Sequence, residues 1–288
     1  LFRSSAASDV YKRQALIGVG YRGQGHIKRF GSFPNTKIVA ISDLHETNIS
    51  KSLSIIDNLK TSKSHTNPKT YYGNKDKWRL MLKETDADIV VISTDWDTHG
   101  IMAIETMKNN MHAFVEVPLA NTIKDLWEIV NTSEKFQKHC MMMENVNYGR
   151  EELMFLNICR KGLLGELYHG EAAYIHDLRW QMYEEEIGTG SWRTLQYEKK
   201  KGNLYPTHGL GPVSQYMNLL RTEDTFKSLR FTSLILYIFS LRNQNSDAPF
   251  VEITFLAPIS GNGFANLKSL ISIEHTNPSN NKSISSIV

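Results

Sequence analysis

Cysteine is scarce in this sequence. Only Cys140 and Cys159 occur among the 288 residues, and neither belongs to a CxxC motif or to a Cys/His cluster with metal-ligand spacing. These counts exclude a disulfide framework and a cysteine-based metal site, and no other metal site is predicted. We expect both thiols to be reduced core residues.

Long apolar runs and an excess of charge of one sign are also missing. The longest apolar run, residues 231–239, is about half as long as a segment that spans a bilayer, so no transmembrane helix is expected. Lys and Arg number 33 against 30 Asp and Glu, a net charge of +3, which gives no electrostatic reason to expect nucleic acid or an anionic membrane as a partner. Small neutral or weakly charged ligands fit this composition better.

Both ends of the chain have unusual sequences. Only residues 15–17 form an apolar strand before Gly18, behind a polar stretch, so the first strand is expected to be cut short. We hypothesise that residues 1–14 are a non-native leader, because the first four residues are also encoded by a common sequencing adapter. Residues 226–288 are rich in Ser and Asn and poor in charge, which is as typical of a fragment edge or a frameshifted read as of true edge strands.

A glycine-rich motif follows the first apolar segment. The run Gly18–Gly23 has GxGxxG spacing and stands between the predicted strand 15–19 and a predicted helix through residues 26–30. In such a strand-turn-helix unit the first glycine permits the turn, the second lets the backbone approach a pyrophosphate, and the third lets the helix pack closely on the strand. The motif alone is weak evidence for dinucleotide binding.

A carboxylate at the end of the next strand strengthens this interpretation. The apolar strand 37–42 ends at Asp43, twenty residues after Gly23, where an acid that binds the adenosine ribose is expected. Asp43 would also repel a 2′-phosphate, and no Arg or Lys follows it before Lys51. The sequence therefore predicts NAD rather than NADP as the cofactor, although an isolated Asp after a strand is most often a turn or cap residue.

Strand and helix patterns continue to alternate along the first half of the chain. Apolar strands are predicted at 87–93 and 112–117, with a helix at 101–109 between them. This alternation predicts an α/β fold with a doubly wound parallel sheet, whose ligands lie at the carboxyl ends of the strands. Segments 94–99 and 116–118 follow such ends, and taken alone they are a loop and a strand stop.

Together these motifs resemble those of the Gfo/Idh/MocA oxidoreductase family. Within that family the chain is most similar to glycoside hydrolase family 109, the NAD-dependent α-N-acetylgalactosaminidases. The resemblance covers about residues 15–225 and rests on these runs: Gly18–Gly23, Trp96–His99, Glu116–Pro118, Met143–Asn145, Gly170–Arg179 and Gly202–Pro212.

The resemblance implies two domains. Residues 15–140 would form an NAD-binding Rossmann domain, and residues 141–288 would form an incomplete α+β substrate domain with a largely antiparallel sheet. A scaffold helix is predicted at 151–160 in the second domain, stopped by Gly162. Members of the superfamily often pair through the open face of this sheet, which favours a homodimer.

The implied chemistry is a redox-assisted cleavage of a glycosidic bond. Dehydrogenases of the superfamily carry Lys where this chain has Val117, and the sequence has no marked pair of carboxylates of the kind that a conventional glycosidase needs. The acidic run 184–186 has the pattern of a solvated face. In family 109, NAD⁺ oxidises C3 of the sugar, the glycosidic group is eliminated, water adds at C1, and the cofactor returns its hydride. The resemblance therefore implies removal of terminal N-acetylgalactosamine from a small molecule or glycan.

Two residues are predicted to move protons in this scheme. We predict that His208 removes the O3 proton, because imidazole titrates near neutrality and because the following turn Gly209–Pro212 would hold it at a helix start. Tyr174 is the candidate for the C2 proton or the enolate contact. A capping or core histidine and a buried strand tyrosine are the plainer interpretations of these two residues.

The other predicted site residues fall into two groups. The first would bind the sugar: Tyr148, Trp192, Arg193 and Tyr205. The second would bind NAD: Gly18, Gly20, Tyr21, Arg22, Gly23, Asp43, Trp96, His99, Glu116, Glu144 and Asn145.

Two other functions stay open at this point. A sugar or inositol dehydrogenase of the same superfamily would release NADH in proportion to its substrate. A non-catalytic protein that keeps NAD and sugar as ligands would retain NAD and turn over no aryl glycoside. The sequence also leaves open the sugar anomer, the oligomeric state and the compartment, cytoplasm or periplasm.

Overall fold

The computed structural model describes most of the first 219 residues and four strands beyond them, namely residues 12–59, 67–165, 167, 170, 172, 190–200, 204–219, 229–230, 251–252, 272–277 and 280–287. The chain divides into two compact units. The first comprises residues 1–143 and 181–193, and the second comprises residues 144–180 and 194–288. Tyr174, predicted to be catalytic, lies outside the described residues, as does the acidic run 184–186.

The first unit is a six-stranded parallel sheet with helices between its strands. In chain order its elements are β1 (Lys12–Ile17), α1 (Tyr21–Gly31), β2 (Thr36–Ser42), α2 (Glu46–Asp57), β3 (Lys69–Tyr71), α3 (Lys77–Glu84), β4 (Ile89–Ile92), α4 (Trp96–Lys108), β5 (His112–Val115), α5 (Ile123–Phe136) and β6 (Cys140–Met142). The strands lie in the order β3-β2-β1-β4-β5-β6, and all neighbouring pairs are parallel. This is the strand order of the Rossmann fold, so the predicted doubly wound sheet is confirmed.

Alternate residues of the strands face two separate apolar cores. In β1, Ala15 and Ile17 join a cluster with residues of α3, α4 and α5, whereas Leu16 joins a cluster with residues of α1 and α2. Successive side chains of a strand point to opposite faces, and here helices cover both faces. The carboxyl ends of the strands are left as the place for ligand-binding loops.

Strand β1 begins at Lys12, earlier than predicted. Residues 12–14 pair with the start of β2, and Arg13 Nη2 lies 2.9 Å from the Asp88 carboxylate. Polar side chains are compatible with this end of the strand, because the backbone makes the pairing and Arg13 finds carboxylate partners. The expectation of a first strand that is cut short is therefore wrong, while the non-native origin of residues 1–14 stays a prediction.

The residues described in the second unit before residue 220 are mainly helical. Its described helices are a 3₁₀-helix (Asn145–Tyr148), α6 (Arg150–Arg160), α7 (Gly190–Lys199), which begins in the first unit and crosses the division after Arg193, and α8 (Thr207–Tyr216). A small apolar cluster consists of Leu156, Ala172, Val213 and Tyr216. The predicted scaffold helix is confirmed as α6, and Gly162 follows it with φ of +66°.

Four strands are described beyond residue 228. β7 (Leu229–Arg230) pairs with β8 (Val251–Glu252) in parallel, and β9 (Ser272–Asn277) pairs with β10 (Asn280–Ile287) in antiparallel orientation. A largely antiparallel sheet was expected here; within the described residues, one of the two strand pairs is antiparallel and the other is parallel.

Candidate functional site

The turn after β1 contains two glycines that the protein's own packing requires. Gly18 has φ of +80°, and a Cβ there would stand 2.5 Å from the carbonyl oxygen of Ser93. At Gly23 a Cβ would stand 2.0 Å from the carbonyl oxygen of Gly18. The absence of a side chain at Gly23 therefore lets α1 lie close to the turn, and its absence at Gly18 lets the turn approach the backbone after β4.

Gly20 is not required by packing in the same way. A Cβ there would meet nothing nearer than Asn48 Nδ2 at 3.7 Å, so the protein has room for a side chain at this position. Gly20 is also the N-cap of α1, and no side chain caps the helix there. A small residue at the positive end of a helix lets a phosphate approach the backbone closely. The turn therefore fits the pyrophosphate of NAD.

Asp43 is held at the end of β2 by three hydrogen bonds. Its carboxylate accepts from the amide of Val19 at 2.8 Å, from the amide of His45 at 2.9 Å, and from Asn48 Nδ2 at 3.1 Å. A carboxylate offers about four acceptor positions, so capacity is left for a ribose hydroxyl. Asp43 thus supports the glycine turn as well as standing where ribose is expected, a second role that the sequence did not predict.

Glu116 connects the end of β5 to helix α1. Its Oε1 accepts hydrogen bonds from Arg22 Nε at 2.5 Å and from His26 Nε2 at 2.6 Å. Burial raises the pKa of this carboxyl, but the His26 hydrogen bond and the charge of Arg22 outweigh it and lower the pKa of Glu116 to about 2. Glu116 was predicted as an NAD ligand, and in the structure its carboxylate accepts hydrogen bonds from two side chains of α1.

His26 was missed by the sequence analysis. It lies four residues after Arg22, which puts both side chains on one face of α1. That spacing was visible in the sequence. Its partner Glu116 lies 90 residues further along the chain, and no local pattern connects them.

The first turn of α4 joins two loops at the carboxyl end of the sheet. Asp95 caps the helix and accepts the amide of Asp97 at 3.0 Å. His99 is only 1% exposed, with Nδ1 2.6 Å from the carbonyl oxygen of Pro118 and Nε2 3.2 Å from that of Thr94. Burial lowers the pKa of His99, although both carbonyls act in the opposite direction. His99 was predicted beside the nicotinamide, and the structure places its buried ring between the loops after β4 and β5, with one ring nitrogen near each loop.

Trp96, the first residue of α4, belongs to an aromatic cluster in the first unit. Its ring stands T-shaped to that of Trp192, with centroids 5.2 Å apart. The guanidinium carbon of Arg193 lies 5.1 Å from the Trp96 centroid and 5.0 Å from the Trp192 centroid. The structure thus brings one residue predicted to bind the cofactor together with two predicted to bind the sugar.

In the second unit, Glu144 and His208 form a buried pair. Glu144 Oε1 accepts a hydrogen bond from His208 Nδ1 and another from the amide of Val146 at 3.2 Å. Both side chains are buried, and Glu144 is only 2% exposed. The ring of Tyr205 stands edge-on to that of His208, with centroids 4.8 Å apart. When a carboxylate accepts from Nδ1, the neutral imidazole keeps Nε2 as a hydrogen-bond acceptor, which is the state that a general base needs.

Helix α8 carries His208 as its second residue. The run Gly209–Pro212 was predicted to be a turn after His208, and that prediction is wrong because the whole run lies inside the helix. Gly211 permits this packing, since a Cβ there would stand 2.5 Å from Asn147 Oδ1 on the 3₁₀-helix. The predicted position of His208 at a helix start is nevertheless confirmed.

Three predicted ligands lie at the surface. Tyr21 and Tyr148 are both more than half exposed, and Asn145 is exposed as the first residue of the 3₁₀-helix. These side chains are accessible to a ligand.

Both cysteines lie among the described residues. Cys140 and Cys159 are free and partly buried, and burial raises the pKa of Cys140 to about 11. Across the part of the chain that is described, no group of His, Cys, Asp and Glu could hold a metal ion. In the same part, no helix combines the length and apolar character needed to cross a membrane.

Comparison with known proteins identifies both halves of the chain. The family described as "Oxidoreductase family, NAD-binding Rossmann fold" matches residues 12–144. The family described as "Glycosyl hydrolase 109, C-terminal domain" matches residues 148–257.

Two similar relatives come from Shewanella. A glycosyl hydrolase family 109 protein of Shewanella putrefaciens and an alpha-N-acetylgalactosaminidase of Shewanella oneidensis are each 54% identical over 211 residues, which is 73% of this chain and 45% of the relative. The chain therefore spans less than half the length of these relatives.

Two solved structures share the fold. The WlbA dehydrogenase of Chromobacterium violaceum, in complex with NADH and UDP-GlcNAcA, has a TM-score of 0.56 at 18% identity and covers 73% of this chain and 56% of its own. The scyllo-inositol dehydrogenase of Lactobacillus casei, with bound NAD(H) and scyllo-inositol, has a TM-score of 0.54 at 12% identity and covers 72% of this chain and 56% of its own.

The match to an NAD-binding Rossmann family agrees with the geometry of the glycine turn and with the position of Asp43. NAD is therefore the cofactor of the first unit. The Rossmann strand order and the two family matches identify the chain as a homologue of glycosyl hydrolase family 109 within the Gfo/Idh/MocA oxidoreductase superfamily.

Proposed function

We propose that this protein removes terminal N-acetylgalactosamine from glycosides by NAD-dependent oxidation, elimination, addition and reduction. The observation that carries the proposal is the buried pair of Glu144 and His208, which supplies a base without a second catalytic carboxylate. The Shewanella oneidensis relative named alpha-N-acetylgalactosaminidase supports the choice of sugar.

The first unit would hold the cofactor through the glycine turn and Asp43. When bound, NAD⁺ supplies an acceptor for the hydride of sugar C3, which makes the C2 proton acidic enough for elimination. Arg22 stands at the start of α1, where the pyrophosphate is expected, and Glu116 holds its guanidinium in place. His99 and Asp95 would position the loops after β4 and β5 without touching the reacting atoms.

The second unit would supply the proton transfer. His208 accepts the O3 proton on Nε2, and the negative charge of Glu144 stabilises the imidazolium that results. Tyr205, edge-on to the imidazole, restricts rotation of the ring. Tyr174 stays the candidate for the C2 proton, and Tyr148 stays a candidate sugar ligand together with Trp192 and Arg193.

The test is cleavage of p-nitrophenyl α-N-acetylgalactosaminide by the purified full chain in D₂O, first stripped of nicotinamide and then supplied with NAD. We expect cleavage only with NAD, no accumulation of NADH, and deuterium at C2 of the released sugar. Full activity without any nicotinamide, or a product without deuterium at C2, would contradict the proposal.

A second candidate function is favoured by the fold comparison. Both solved structures reported above are dehydrogenases, and a dehydrogenase would form one NADH for each sugar oxidised. Stoichiometric growth of the NADH absorbance band with N-acetylgalactosamine, without cleavage of the aryl glycoside, would favour this function over the first. Tight retention of NAD with neither reaction would instead indicate a non-catalytic binding protein.

A further inference from the structure

We infer that His26 is a positioning residue for cofactor binding: it fixes the Glu116 carboxylate from the buried side of α1, and Glu116 in turn fixes the guanidinium of Arg22. The inference rests on the place that the proposed function gives to Arg22, at the start of α1 where the pyrophosphate is expected. It adds to the site a residue that would act on NAD binding without touching NAD.

The three side chains form a row from the interior to the surface. His26 and Glu116 are only 5% and 8% exposed, whereas the side chain of Arg22 is 44% exposed. His26 and Arg22 lie one turn apart on α1, so both can reach the same carboxylate. A ligand at the start of the helix can therefore reach Arg22, while His26 stays covered.

Both donors share one oxygen of Glu116. Its Oε1 lies 2.6 Å from His26 Nε2 and 2.5 Å from Arg22 Nε. Because the pKa of Glu116 is lowered to about 2, this carboxylate is ionised at neutral pH and can only accept hydrogen bonds. Nε2 of His26 must therefore carry the hydrogen, and its bond holds the carboxylate at the same atom that holds Arg22.

The imidazole of His26 is itself held by a neighbour on α1. Its ring packs against that of Phe30, with centroids 5.8 Å apart, and Phe30 contacts Phe33 with centroids 6.1 Å apart. A buried ring that is packed in this way has little freedom to rotate. His26 is thus better suited than the longer and more exposed Arg22 to set the position of Glu116.

A fixed carboxylate changes what Arg22 loses when a ligand binds. Arginine has several rotatable bonds, and ordering such a side chain on binding lowers affinity. Where folding has already fixed Glu116, Arg22 is ordered before the ligand arrives and less entropy is lost on binding. Loss of the His26 donor should therefore weaken NAD binding without removing any contact to NAD.

The experiment is a double-mutant cycle read by calorimetric titration with NAD of the full chain, first stripped of nicotinamide. His26→Leu should weaken NAD binding about three- to tenfold, the effect of one long side chain that must be ordered on binding. His26→Gln keeps an N–H donor and should bind NAD within about twofold of the wild type. In the Arg22→Leu background, His26→Leu should have no further effect, because no guanidinium is left to position.

The matched control is His112→Leu, at the amino end of the strand whose carboxyl end precedes Glu116. His112 Nδ1 accepts a hydrogen bond from the amide of His139 at 2.9 Å, so this variant also loses one histidine hydrogen bond in the first unit. It should retain the NAD affinity of the wild type. If His26→Leu fails to fold by circular dichroism, His26→Phe replaces it, because phenylalanine keeps a ring beside Phe30 and has no donor.

Four results would overturn the inference. They are wild-type NAD affinity in His26→Leu, an equal loss in His26→Gln or in the His112→Leu control, a further loss from His26→Leu in the Arg22→Leu background, and no binding of NAD to the wild-type chain. Failure of the proposed function is a separate result. NAD binding that depends on His26, without cleavage of the aryl glycoside, would refute the glycosidase and leave the role of His26 intact.

Discussion

A single substitution at Glu144 tests whether His208 is the catalytic base. Glu144→Gln preserves the size of a side chain that is almost wholly buried, but it removes the negative charge that faces His208 Nδ1. We expect kcat to fall about 10²- to 10⁴-fold, with a smaller change in KM, because stabilisation of the imidazolium is lost in the transition state. Steady-state kinetics with the aryl glycoside measure both constants.

The same pair allows a check on whether the two residues act as a unit. His208→Gln should lose as much activity as the double variant with Glu144→Gln, since groups that act together are not additive. The control is Glu151→Gln on the exposed first turn of α6, which should retain wild-type kinetics. Multiplicative losses in the double variant would mean that Glu144 acts independently of His208.

At the residue scale, the sequence predicts the backbone conformation that a residue needs better than it predicts which side chains that residue contacts. Gly18 and Gly23 could be placed correctly because a positive φ and a close approach are local demands of the turn. Glu116 and Glu144 were both predicted to bind NAD from the family resemblance. The sequence did not predict that their carboxylates meet His26 and His208, which are 90 and 64 residues away, because tertiary packing alone decides such contacts.

At the scale of elements, the contact between β1 and α1 depends on one missing methyl group. Gly23→Ala would place a Cβ 2.0 Å from the carbonyl oxygen of Gly18, so the helix must move away from the strand. We expect the free energy of unfolding to fall by about 3 kcal/mol and NAD binding to be lost with the turn geometry. Urea denaturation and NAD titration measure the two effects.

The control for that substitution lies in the same helix. Gly25→Ala would place its Cβ 3.6 Å from Arg29 Nη1, the far end of a flexible side chain, and alanine is the better helix former by about 0.5–1 kcal/mol. Gly25→Ala should therefore be as stable as the wild type or more stable, with unchanged NAD binding. Equal behaviour of the two alanine variants would show that close packing at Gly23 is unimportant.

The contact between β5 and α1 predicts a specific acid sensitivity. The pKa of Glu116 is about 2 in the folded chain and about 4.3 in an unfolded one. The folded state therefore binds a proton at this carboxyl group less readily than the unfolded state does. The carboxylate therefore contributes stability above about pH 4, and this contribution is lost as the pH falls towards 2. At neutral pH it amounts to at most about 3 kcal/mol.

Comparison of the wild type with Glu116→Gln isolates this effect from other carboxyl groups. The variant should unfold more easily at pH 7, because Arg22 and His26 lose their ionic partner, and its deficit should shrink as the pH approaches 3. Urea unfolding at pH 7, 5 and 3 measures the difference. A deficit that does not change with pH would mean that the charge of Glu116 contributes nothing.

For the whole molecule, the two units differ in how far the sequence could predict them. The first unit alternates apolar strands with amphipathic helices, and this periodicity predicts a doubly wound sheet before any contact is known. Two boundary errors stand out. Polar residues at 12–14 hide a strand end that backbone pairing defines, and helix α4 begins at Trp96, five residues before the predicted helix 101–109. In the second unit, the helical run Gly209–Pro212 carries turn-forming residues, and only the close approach to Asn147 explains why glycine is present there.

The cofactor choice is a property of the whole chain that thermal unfolding can measure. A ligand that binds only the folded state adds about 2.7 kcal/mol at 100 times its Kd, which raises the melting temperature of a unit of this size by roughly 5–10 °C. NAD should give this shift, and NADP at the same concentration should give a smaller one. The reason is that three hydrogen bonds fix the Asp43 carboxylate where the ribose is expected, so it cannot turn away from a 2′-phosphate. Equal shifts with the two cofactors, measured by scanning calorimetry, would show that Asp43 supports the glycine turn without selecting the ribose.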